Sequence, residues 1–161
     1  KSGYVAPANY NSPEQIVIAG EKTAVEEAIG LANSMGAKKV VPLSVSAPSH
    51  CGLMTKASKR LFELLNSIEF HPPKIPVVNN ADAAFLNKPE DIKESLVRQL
   101  NSPLLWEDSI KIMVENGVDT FIEVGPKRVL SGLIKRIDKN VKVFNVEDTK
   151  SLTETIDSLS S

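Results

Sequence analysis

Segments with the period of a strand and segments with the period of a helix alternate along the whole chain, and this restricts the fold more than any other feature. EQIVIAG (14–20) is a β-branched run ending at Gly20 that suits a buried strand. In TAVEEAIGLANSMG, Thr23 and Glu26 have capping-box spacing. Val25, Ala28, Ile29, Ala32 and Met35 recur every three or four residues, and Gly36 supplies a left-handed C-cap. KKVVPLSV (38–45) reads as a second strand, placed at an edge or in an irregular ladder by Pro42. A stripe of Met54, Ala57, Leu61, Leu64, Leu65 and Ile68 predicts a helix from close to His50 to about Ser67, with Ser49 as its N-cap. The positive end of that helix's dipole would then face the His50 ring.

The remainder continues the pattern. PPKIPVVNN (72–80) predicts a short strand, and NKPEDIKESLVRQL a helix from about Pro89. A second helix opens at Ser102-Pro103, carries Trp106, Ile110, Met113 and Val114, and stops at Gly117. DTFIEVGP is strand then turn, RVLSGLIKRI a helix, KVFNV a strand and SLTETIDSL a terminal amphipathic helix. Strands alternating with helices predict an α/β protein with a largely parallel sheet.

With 161 residues, 42% hydrophobic and 24% charged, the chain has the size and composition of one globular domain or a piece of a larger one. A net charge of -1 carries no signal for nucleic acid or a membrane surface, and no apolar run approaches the ~20 residues of a membrane span. A cytoplasmic location is expected. One cysteine, Cys51, and two histidines, His50 and His71, provide neither a disulfide nor a zinc cluster, so no structural metal is expected. The opening KSGYVAPANYNSP, starting at Lys1, reads as the beginning of an internal fragment.

Reactive side chains cluster at VSAPSHCGLM (45–54), where Ser49, His50 and Cys51 are adjacent. Neighbouring side chains diverge and rarely come within ~3 Å, so neither Ser49 nor Cys51 suits activation by His50. A histidine base more often serves a serine in a G-x-S-x-G elbow, and the chain has no such motif. Either His50 is a polar residue at a helix start, or its nucleophile lies outside these residues. Cys51 reads as a small apolar residue of the first helical turn.

SVSAPSHCGLM, PVVNNADA, LVRQLNSPLLWEDSI, FIEVGPKRVLSGLIKRI and FNVED, in this order and spacing, closely resemble the C-terminal half of the malonyl-CoA:acyl carrier protein transacylase family of type II fatty-acid synthesis. NYNSPEQIVIAG extends the likeness almost to the first residue. The resemblance implies an α/β-hydrolase-like core with an inserted ferredoxin-like subdomain. Residues 1–46 would be the latter part of the insert and 47–161 the C-terminal part of the core. It also implies transfer of malonyl from coenzyme A to the phosphopantetheine thiol of acyl carrier protein, by ping-pong chemistry through a serine ester with no metal or cofactor.

In that pattern His50 matches the catalytic general base and acid, and the main-chain carbonyl that orients it falls on Gln99. Asp82 is then not needed as a third member and reads as a turn residue. Ser49 matches a position bordering the acyl pocket. Asn9 and Asn11 match asparagines lining the cleft between subdomains, or form a polar turn entering a strand. Lys38 and Lys39 match a rim that meets the acidic carrier protein, or are two solvated lysines. Lys127 stands where the family usually has a second glycine. The serine elbow, the arginine for the malonyl carboxylate and the oxyanion-hole donors belong to the family's N-terminal half, which makes that half a further expected partner. Two other readings remain: a polyketide-type acyltransferase, and a non-catalytic fragment that binds carrier protein.

Overall fold

A computed structural model describes residues 3–45 and 47–160. Lys1 and Ser46, which fall in two of the segments quoted above, lie outside the described residues, as do Ser2 and Ser161.

The chain opens with a hairpin. β1 (Val5–Ser12) pairs antiparallel with β2 (Gln15–Gly20), with register shifts between Pro7 and Asn9 and between Tyr10 and Ser12. Sequence patterning misses β1 because its inward positions are small: Ala8 and Ser12 are buried where a large apolar residue would have announced a strand. Asn9 and Asn11 thus lie on a strand and not in a turn. α1 (Lys22–Ser34) follows. Its preceding residue is Glu21 and no side chain caps it, so the predicted capping box does not form, whereas Gly36 has the expected left-handed φ of 85°.

Residues 38–45 form no strand. Val41, Leu43 and Val45 are exposed, and Pro42 removes a donor from a run that has no partner among the described residues. The next helix, α2 (Thr55–Leu65), begins later than predicted, after a 3₁₀ turn at Gly52–Met54. Ser49 is therefore not its N-cap: Cys51 is extended, with φ -147°, and separates Ser49 from the helix. The strand expected over 72–80 shortens to β3 (Val77–Asn79), which pairs with β4 (Ala84–Leu86) in a hairpin turning through Ala83 at φ 50°.

α3 (Pro89–Asn101) starts at its proline and ends at Ser102, which is extended. α4 (Trp106–Glu115) stops before Gly117, φ 89°. β5 (Thr120–Val124), α5 (Val129–Ile137) and β6 (Lys142–Val146) form a strand–helix–strand unit with parallel pairing from Thr120–Lys142 to Val124–Val146, and α6 (Thr149–Ser160) packs back on β6.

The fold is therefore mixed α/β, but the largely parallel sheet is not observed. Three two-stranded sheets are present among the described residues, and only β5–β6 is parallel. The best-packed core is Ile110, Ile134 and Val141, surrounded by Trp106, Met113, Phe121 and Val143 from α4, β5 and β6. β1 joins it through α4 and α5, and the segment after α3 pairs with β1, with Leu104 N–H donating to the Ala8 carbonyl and Tyr10 N–H to that of Leu104, each at 2.8 Å. No helix among the described residues is long and apolar enough to cross a membrane.

Candidate active site

The turn that carries His50 is built from far along the chain. His50 has φ 62°, a left-handed conformation uncommon for any residue but glycine. Two carbonyls at the end of α3 hold it there. The His50 N–H donates to the Leu100 carbonyl at 3.0 Å, and Nδ1 lies 2.6 Å from the Gln99 carbonyl. A carbonyl oxygen can only accept, so the contact needs a proton on Nδ1, and in a neutral ring the lone pair is then on Nε2. These are two of the carbonyls that a helix C-terminus leaves without internal partners. The end of α3 nearest the ring also bears the helix's partial negative charge. This reverses the expected setting, in which the positive end of the following helix faces the ring.

Both sides of His50 are fixed as well. Cys51 is 2% exposed and its thiol donates to the Pro48 carbonyl at 3.1 Å, which leaves it a packing role rather than a reactive one. It precedes the 3₁₀ turn and is not in the helix's first turn. The Gly52 N–H donates to the Tyr4 hydroxyl at 2.9 Å. Tyr4 is itself tied through its carbonyl, which accepts from Glu21 N–H at 2.8 Å. A Cβ on Gly20 would come within 2.2 Å of that same oxygen, so only glycine allows the hairpin end to close on Tyr4.

The remaining candidate residues are placed as follows. Ser49 is half-buried beside His50. Asn9 and Asn11 are half-buried on β1, and Asn9 bridges to Leu104, four residues beyond Leu100. Gln99 and Asn9 are thus brought to the same end of α3 as His50. Lys38 and Lys39 lie in the exposed coil after α1; Lys38 reaches Glu14 at 3.5 Å, a solvated pair at the β1–β2 turn. His71 is exposed near Glu69, and among the described residues no group of three or more His, Cys, Asp or Glu side chains is arranged to hold a metal. Two shallow depressions, one lined by Lys111, Val114 and Ile137 and the other by Ile68, Phe70 and Lys93, do not include His50.

Next to Gln99 in sequence, Arg98 donates to Asp82 Oδ2 at 2.6 Å, and Asn79 Nδ2 donates to the same oxygen at 2.6 Å. The Arg98 guanidinium holds the Asp82 carboxyl below the usual range; partial burial opposes this and the Asn79 bond adds to it. Tyr4, Leu100 and this Asp82–Arg98 pair escape a sequence reading. Tyr4 and Gly52 are 48 positions apart, and no spacing rule connects them.

No protein-family model matches the chain. Among curated relatives, the malonyl CoA-acyl carrier protein transacylase of Haemophilus influenzae is 44% identical over 147 residues, 91% of this chain and 47% of that protein. The Escherichia coli K12 protein of the same name is 48% identical over 83% of this chain and 43% of its own length. The chain is homologous to the malonyl CoA-acyl carrier protein transacylases. It spans about half the length of the curated relatives it matches. Solved transacylase structures agree. The enzyme from Streptococcus pneumoniae superposes with TM-score 0.92 at 44% identity, covering 97% of this chain and 51% of that one. A malonyl-transacylase solved in complex with a type II polyketide acyl-carrier protein superposes with TM-score 0.94 at 46% identity, covering 97% and 50%.

Proposed function

We propose that this chain is the histidine-bearing, C-terminal half of a malonyl-CoA:acyl carrier protein transacylase of fatty-acid synthesis, acting in the cytoplasm. The observation that carries the reading is the pairing of His50 Nδ1 with the Gln99 carbonyl at 2.6 Å, which leaves Nε2 free to take a proton. The nucleophilic serine comes from a G-x-S-x-G elbow outside these residues.

In the first half-reaction Nε2 takes the serine proton as the serine oxygen attacks the thioester carbonyl of malonyl-CoA. The coenzyme A thiolate leaves and takes that proton back from Nε2. The carrier-protein thiol then gives its proton to Nε2 and attacks the serine ester, and the departing serine oxygen recovers the proton. No metal or cofactor takes part. At each step the cationic ring faces the negative end of α3, so developing charge meets an aligned dipole with no carboxylate needed.

In this reading Ser49 borders the acyl pocket, and Asn9 and Asn11 line the cleft between a ferredoxin-like part (1–46) and an α/β-hydrolase-like part (47–161). Lys38 and Lys39 meet the acidic carrier protein. The N-terminal half covers the apolar surface left bare here, where Val124 on β5 is 80% exposed and Leu64 on α2 is 65% exposed. β5 and β6 each have a free edge among the described residues, ready to extend the sheet.

In the full-length protein, His50→Ala is expected to slow malonyl transfer by roughly 10²- to 10⁴-fold, the loss of a general base. Normal turnover would overturn the assignment, as would an upstream sequence lacking G-x-S-x-G. The similarity to a polyketide malonyl-transacylase supports a second reading, service to a polyketide carrier protein. Competition between fatty-acid and polyketide carrier proteins for the malonyl group separates the two.

A further inference from the structure

The two carbonyls that hold His50 sit in the last turn of α3, where a helix has no further hydrogen bonds to keep it from fraying. What fixes that turn is outside the helix. One residue before Gln99, Arg98 reaches across to Asp82 at 2.6 Å. Beyond Leu100, the Leu105 N–H donates to the Asn80 carbonyl at 2.7 Å, and the buried Ser109 hydroxyl lies 3.3 Å from the Asn79 carbonyl. Asp82, Asn79 and Asn80 all belong to the β3–β4 hairpin, so one small hairpin grips the chain on both sides of Gln99 and Leu100. The hairpin is itself braced, because Asn79 donates to Asp82 through Nδ2 and accepts the Ala84 N–H through Oδ1 at 3.1 Å. Asn79 is 6% exposed and anchors the network in the interior.

We propose that Asp82 and Arg98 are positioning residues for the base: their ion pair clamps the end of α3 to the β3–β4 hairpin and thereby sets where the Gln99 and Leu100 carbonyls hold His50. The proposal rests on the assignment of His50 as the base and gives Asp82 a task that a turn residue does not have. The pair is half-exposed, with side chains 44% and 40% accessible, and such pairs contribute little to global stability. Its consequence is local: the Gln99 carbonyl is one peptide from Arg98, and a displacement of about 1 Å at a reacting group can cost up to ~10² in rate.

The test uses the full-length enzyme. Asp82→Ala and Arg98→Ala are each expected to lower kcat by about 10- to 10²-fold, with KM for malonyl-CoA nearly unchanged. The double variant should be no worse than either single one, because both remove the same link. In nitrogen-labelled protein the His50 Nδ1–H proton, protected by the Gln99 carbonyl, should broaden or vanish in both. The near-isosteric Asp82→Asn, which keeps an acceptor for Arg98, should restore part of kcat and of the signal, and it stands in if the alanine variants fail to fold. Lys111→Ala removes another 2.6 Å helix pair, to Glu107 on α4, and should change neither readout. Additive losses in the double variant, or an intact Nδ1–H signal with unchanged kcat, would overturn the clamp. If His50→Ala itself turned over normally, the general-base assignment would fall, while the Nδ1–H signal would still report whether the clamp holds the ring.

Discussion

Among the described residues three turns hold a residue other than glycine in the left-handed region, at His50, Ala83 and Lys127, and two of them, those at His50 and Lys127, are held in opposite ways. At the first, His50 with φ 62° is gripped through its own imidazole as well as its backbone. At the second, Lys127 with φ 71° is gripped only through its backbone: its N–H donates to Glu147 Oε2 at 2.9 Å and its carbonyl accepts from Asn145 Nδ2 at 2.8 Å. The same Asn145 amide also serves the carbonyls of Glu123 and Gly125, while Glu123 receives the N–H groups of Leu130 and Ser131 that begin α5. Strain at Lys127 can be removed without losing anything the turn uses. Relaxing His50 in the same way also deletes the imidazole that the Gln99 carbonyl holds.

The largest effect separates the two by one substitution each. His50→Gly relaxes the backbone as well as glycine can, yet malonyl transfer by the full-length protein should fall by roughly 10²- to 10⁴-fold. Lys127→Gly should leave transfer within a few-fold. Equal losses at both would erase the contrast.

Asn145→Ala strips three carbonyls of their donor and should lower stability by about 1–3 kcal/mol, read as a lower urea midpoint. An unchanged midpoint would mean that Glu147 alone holds the turn. Glu123→Gln tests the helix side of the same turn. Burial by itself would raise the Glu123 pKa, but the Ser131 hydroxyl and the N–H groups of Ser131, Leu130 and Val129 outweigh it and the value is lowered. A depressed carboxylate contributes stability that is present above its unfolded value of 4.5 and is lost as pH falls through the folded value. Urea midpoints should therefore drop more steeply in acid for the parent than for Glu123→Gln, which begins less stable at neutral pH because a neutral amide accepts more weakly than a carboxylate. Parallel curves would remove Glu123 from the account. The smallest effect is the gain from Lys127→Gly, up to about 1 kcal/mol, since relief of left-handed strain is partly offset by the freer unfolded chain.

Much of the second half of the fold was legible. Pro89 opening α3, the Ile110–Met113–Val114 face of α4 and the KVFNV strand are long or sharply bounded, so local pattern and tertiary packing agree. The failures have local causes. β1 packs through Ala8 and Ser12 and makes no apolar stripe. The Val-rich 38–45 run has strand propensity but no partner strand among the described residues, and propensity without pairing leaves a coil. The stripe through Met54 and Ala57 placed α2 correctly but not its start, because the 3₁₀ turn at Gly52–Met54 carries the same period into the helix. For the site, the residues alone singled out His50 and discouraged Ser49 and Cys51 as its partners. A contact across 49 positions to a main-chain carbonyl leaves no mark on either residue type; only the family resemblance pointed to Gln99.

The acceptor facing His50 is a backbone atom, and this changes how the site can drift. A carboxylate in that place could be lost to a single codon change. An oxygen that every amino acid carries survives any letter written at position 99, provided the helix still ends where it does. Vulnerability is thereby moved from one position to the residues that shape a helix terminus, several of which lie outside the sequence motif that draws the eye.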